Sequence, residues 1–69
     1  MTKIDYVISI YNKKNYQYEI RVRYKSGKDI YYNPKQLPLT VKRFIKNATH
    51  IGKSETSKTI TETYYIEED

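Results

Sequence analysis

Residues 16–25 read Tyr16-Gln17-Tyr18-Glu19-Ile20-Arg21-Val22-Arg23-Tyr24-Lys25. Every even position is apolar or aromatic and every odd position is polar or charged. Side chains on a strand point alternately to opposite faces, so this spacing predicts a half-buried β-strand with one dry and one wet face. Tyr, Ile and Val also suit a pleated surface. Residues 4–11 alternate in the same way, with Ile4, Tyr6, Ile8 and Ile10 set against Asp5, Val7, Ser9 and Tyr11. The two apolar sets share a face only if the connecting loop has an odd number of residues. A three-residue loop Lys13-Lys14-Asn15 meets that condition, with Asn15 in the left-handed conformation that Asn tolerates. It predicts the pairs Ile10–Tyr18, Ile8–Ile20 and Tyr6–Val22. On the other side, a three-residue loop Lys25-Ser26-Gly27 with glycine at its left-handed position predicts Val22–Ile30 and Ile20–Tyr32. Residues 28–33 then form the third strand of an antiparallel meander.

Beyond it, Asn33 and Pro34 begin a turn over residues 34–37, and the main helix is expected from Pro38 to about Ala48. Val41, Phe44, Ile45 and Ala48 stand at i, i+3, i+4 and i+7, one apolar stripe that must lie on the dry face of the sheet. Leu37 and Leu39 are expected to close the end of that core. Gly52 reads as a stop signal, and Lys53 to Ser57 as a loop. Lys58 to Glu67 reads as a last strand with Ile60, Tyr64 and Ile66 on one face. Glu62 interrupts that set, which marks an edge strand protected against aggregation. His50-Ile51 offers a further short strand. The expected fold class is α+β, a single domain over residues 1–69: a three-stranded meander, one helix on one face, and a C-terminal strand extending the sheet (βββαβ).

A chain of 69 residues without cysteine builds a thin core and no disulfide framework or cysteine-based zinc site. No apolar run reaches the length of a membrane span and no signal-peptide pattern opens the sequence, so a cytoplasmic protein is expected. Lys and Arg number 13 against 8 Asp and Glu, a net charge of +5. Three of those acids are the tail Glu67-Glu68-Asp69, which leaves the body at +8. Such a body attracts polyanions or an acidic partner surface. Lys, Ile, Tyr and Asn dominate, residues with AT-rich codons, which suits a low-GC bacterium, its phage or a mobile element.

Catalytic parts are missing. His50 is the one histidine, and it stands without the nucleophile and orienting group a base needs. No cluster has metal-ligand spacing, so neither metal nor cofactor is expected. Gly52-Lys53-Ser54 resembles the end of a phosphate-binding loop, but position 47 is Asn where that motif requires Gly. Asn47-Ala48-Thr49 matches a glycosylation acceptor without a secretory context. A non-enzymatic protein follows.

Two surfaces remain. On the wet face the expected rows are Asp5–Arg23–Asp29, Val7–Arg21–Tyr31 and Ser9–Glu19–Asn33. Arg23 is explained there by its two acidic neighbours, whereas Arg21 with Tyr31 forms a candidate stacking pair for bases. On the helix, Lys42, Arg43 and Lys46 have no acid at i±3 or i±4, and Lys35 precedes them. Unbalanced positive charge of that kind suits a phosphate backbone. Of nine tyrosines, Tyr6, Tyr16, Tyr18, Tyr24, Tyr32 and Tyr64 fall on the expected core face, and Tyr11, Tyr31 and Tyr65 outside.

The run Tyr18-Glu19-Ile20-Arg21-Val22-Arg23-Tyr24-Lys25-Ser26-Gly27-Lys28-Asp29-Ile30-Tyr31-Tyr32-Asn33, followed by residues 37–48 and Gly52, resembles the KTSC domain. That small family is found at the C-terminus of some lysyl-tRNA synthetases and as stand-alone bacterial proteins. The likeness spans about half the chain. The family's Tyr-x-Tyr is here Ile30-Tyr31-Tyr32, and the last strand has no counterpart in it. The resemblance implies a meander with a helix and a role in RNA binding. The leading expectation is a nucleic-acid-binding module for RNA or single-stranded DNA, using Lys35, Lys42, Arg43, Lys46, Arg21 and Tyr31. The alternative is a phage or mobile-element protein that binds and inhibits a bacterial protein through a tyrosine-rich sheet face or edge.

Overall fold

A computed structural model of the chain describes residues 3–66; Glu67 of the expected last strand and the acidic run Glu67-Glu68-Asp69 lie outside the described residues. The strands are β1 (Ile4–Asn12), β2 (Gln17–Tyr24), β3 (Asp29–Tyr32), β4 (His50–Glu55) and β5 (Thr59–Tyr65). One helix, α1 (Leu39–Lys46), joins β3 to β4, preceded by a single 3-10 turn at Pro34–Gln36. All neighbours in the sheet are antiparallel, in the order β3-β2-β1-β5-β4. The expected βββαβ fold is therefore overturned: the sheet has five strands, and the order is βββαββ. Of the residues read as the loop after Gly52, Lys53 to Glu55 belong to β4, where Gly52 pairs with Thr63 instead of ending the helix. β5 is not an edge strand. It lies between β1 and β4, and Glu62, in place of guarding an edge, accepts the Tyr64 hydroxyl at 3.1 Å.

The second hairpin has the expected register, with Ile20 opposite Tyr32 and Val22 opposite Ile30. Gly27 turns it at φ +94°, the left-handed region in which a side chain is strained. The first hairpin does not. Its turn has four residues, Lys13 to Tyr16, and Tyr16 rather than Asn15 takes positive φ, at 58°. Asn12 Oδ1 accepts the Lys14 amide at 2.9 Å and Asn15 Oδ1 the Gln17 amide at 3.2 Å. These two Asx turns shape the loop locally. An even loop reverses parity, so Val7 opposes Val22, Ser9 opposes Ile20 and Tyr11 opposes Tyr18. Apolar parity could not choose, because β1 has apolar residues on both faces. A bulge between Ile4 and Tyr6 then lets Ile4 and Val7 point inward together.

The core is Ile4, Val7, Ile20, Val22, Val41 and Phe44, with Tyr24, Tyr32, Leu37, Ile45, Tyr64 and Ile66 packed around it. Helix α1 connects the two edge strands, lies against β1 and β5, and buries Val41 and Phe44. Asn33 caps the preceding turn through a 2.9 Å bond from the Lys35 amide, and Pro38 holds the entry to α1. Leu39 stays 62% exposed, so of the two leucines only Leu37 closes the core. The helix covers one end of its face only. Tyr16 and Tyr18, expected within the core, are 78% and 59% exposed. No helix among the described residues is long and apolar enough to cross a membrane.

Candidate nucleic-acid interface

The sheet separates the chain's charges. Its helix side carries the exposed Lys42, Arg43 and Lys46 of α1. These three have no ion pair among the described residues. Arg43 and Lys46 lie in the last turn, where they also favour the negative end of the helix dipole. Arg43 and Lys3 line a shallow cleft of about 590 Å³ between Tyr24 and the helix. At the opposite end of the same side, Lys35 shares a groove with Tyr16, Tyr18, Gln17 and Asn33. The acids that register places here are engaged. Lys13 Nζ donates to Glu55 at 2.6 Å, which holds that carboxyl below its usual range. Glu62 accepts from Tyr64.

The other side of the sheet is open. The corrected register replaces the three expected rows with Tyr6–Arg23–Asp29, Ile8–Arg21–Tyr31 and Ile10–Glu19. Val7 and Ser9 belong to the helix side. Arg23 grips Asp29 through two hydrogen bonds, Nε at 2.5 Å and a terminal nitrogen at 3.0 Å; Asp5, the other acid expected to neutralise it, makes no ion pair with it, because Tyr6 stands opposite Arg23 instead. That grip lowers the Asp29 pKa. Arg23 also lies over the Tyr6 ring, 5.8 Å from its centroid. Arg21 sits beside Tyr31, whose hydroxyl raises its pKa against the opposing effect of burial. The Arg21 Nε is buried without a hydrogen-bond partner among the described residues.

The six residues read as one interface therefore divide. Lys35, Lys42, Arg43 and Lys46 share the helix side. Arg21 and Tyr31 stand on the opposite face of the sheet. The aromatic groups beside Lys35 are Tyr16 and Tyr18, which alternation assigned to the core. The polar run Asn12 to Asn15 before them is the one signal that the chain turns away from the sheet there. Tyr18 leans on Tyr11, with centroids 4.7 Å apart and planes tilted by 42°. Among the described residues no group of three or more His, Asp or Glu is placed to hold a metal ion. The chain matches no protein-family model, no curated protein and no solved structure, so the likeness to the KTSC domain rests only on the residues quoted for it.

Proposed function

We propose that the protein binds single-stranded nucleic acid along its helix side. Lys35, Lys42, Arg43 and Lys46 contact phosphates, and Tyr16 and Tyr18 stack on bases. The observation that carries this reading is the groove in which Lys35 lies beside two exposed tyrosines, on the side that also bears the α1 cations, which have no ion pair among the described residues. Binding of this kind is dominated by the backbone and indifferent to sequence, and it needs no catalytic group.

Fluorescence anisotropy with a labelled oligothymidine or oligouridine at several salt concentrations tests it. Changing Lys42, Arg43 and Lys46 together to Ala is expected to reduce the salt slope by about 2, roughly 0.7 for each phosphate no longer neutralised. Changing Tyr16 and Tyr18 to Ala is expected to weaken binding by about 1–3 kcal/mol per stacked base and leave the slope unchanged. Absence of binding at low salt ends the reading.

A second reading, capture of a bacterial protein by the open sheet face, is favoured by one specific feature. The corrected register sets Tyr6, Ile8 and Ile10 of the central strand on a face that no element of the described chain covers. An uncovered apolar strip bordered by polar residues is what a protein interface uses.

A further inference from the structure

We infer that the open face contains a slot for a lysine or arginine side chain of a partner protein, an inference that rests on the second reading above. The β1–β5 ladder ends at the pair Val7–Tyr64. One step beyond it, Tyr6 and Tyr65 flank a cavity of about 440 Å³ with Ile8 and Thr63 among its lining and Asp5 at the strand's start. The bulge between Ile4 and Tyr6 opens this place, since a bulge ends regular pairing and re-aims the side chains around it. Each wall is braced from behind. Arg23 lies over Tyr6 from the β2 side, and His50 stacks on Tyr65 at 5.1 Å with ring planes 14° apart. The Asp5 carboxylate makes no hydrogen bond or ion pair among the described residues.

These parts specify the occupant. Tyrosine rings attract a cation through their negative faces, and Arg23 on Tyr6 shows the attraction at work beside the slot. An aliphatic and aromatic lining takes the methylene stem of a long side chain while its charged head stays near a carboxylate. A phosphate would meet Asp5 with like charge. An apolar side chain would cover that carboxylate without pairing it, at the cost of its hydration. The charge around the slot agrees: in the described strands β1, β2 and β3, Asp5, Glu19 and Asp29 accompany Arg21 and Arg23, and Arg23 is committed to Asp29. The polyanion side and the cation slot thus lie on opposite faces of one sheet.

The test is an NMR titration of the full chain with Gly–Ser peptides carrying one central arginine, lysine or norleucine. The arginine and lysine peptides are expected to shift Tyr6, Ile8, Thr63 and Tyr65, saturating in a roughly millimolar range. The norleucine peptide is expected to shift none of them. Asp5→Asn should weaken the arginine peptide about fivefold or more, and Tyr65→Leu, which leaves the bulge alone, should abolish the shifts. Equal shifts with norleucine would overturn the cation slot while leaving the open face a protein-binding surface. No shift of any open-face residue with any peptide would overturn both.

Discussion

Tyr24 and Tyr32 meet hydroxyl to hydroxyl at 2.9 Å beside the core. The hydrogen bond to Tyr32, then burial, pushes the Tyr24 pKa up to about 12. The fold thus favours the neutral phenol. Its contribution to stability is complete below the ordinary tyrosine value near 10, and is lost as pH rises toward about 12. An absorbance titration of tyrosinate formation should show a late step at about 12 from Tyr24. Tyr32→Phe should bring it back toward the ordinary range and flatten the fall in stability over that window. Unchanged late ionisation in Tyr32→Phe would assign the shift to burial instead. Single residues also decided the first hairpin. Asn12 and Asn15 each accept an amide two positions on, and that local bonding set a four-residue turn.

At the level of elements, α1 has eight residues and no acid in its first turn. Such a helix is too short to persist alone, so its stability comes from Val41 and Phe44 against the sheet. Phe44→Ala is expected to cost about 3–5 kcal/mol. A domain of this size has roughly 3–10 kcal/mol in total. Urea denaturation followed by circular dichroism should therefore find the variant's midpoint far below the parent's, and the variant unfolded without denaturant if the parent lies at the low end of that range. Lys42→Ala, at an exposed site, should stay within about 0.5 kcal/mol of the parent. A mild Phe44→Ala would mean that the helix rests on packing other than this ring. The stripe of α1 was legible because Val41, Phe44 and Ile45 stand at helical spacing; Ala48, read as its fourth member, lies beyond the helix, which ends at Lys46. Of β4, only His50-Ile51 was legible as a short strand; Gly52-Lys53-Ser54-Glu55 was not, because it has no large apolar residue, and the partner that makes it a strand is β5.

For the molecule as a whole, β1 is the hub. It pairs with β2 and with β5, so the first and last strands of the described chain lie side by side at the centre of the sheet. Removing residues 49–69 would strip β1 of one neighbour and the core of Tyr64 and Ile66. An exposed central edge and an incomplete core leave too little burial to offset chain entropy. The fragment 1–48 is expected to lack a cooperative unfolding transition and dispersed amide resonances. A folded fragment would make the C-terminal hairpin an appendage.

The sequence by itself determined the β2–β3 hairpin, the helix stripe, the Arg23–Asp29 pair and the lack of an acid three or four positions from the cations of α1, because each follows from spacing within a few residues. Tertiary structure decided which face of β1 is buried, where β5 inserts, and that Arg21 and Tyr31 lie opposite the cations of the helix. β1 is apolar on both sides, so its orientation was set by a turn, a bulge and a partner about fifty residues away, none of which alternation along one strand can encode.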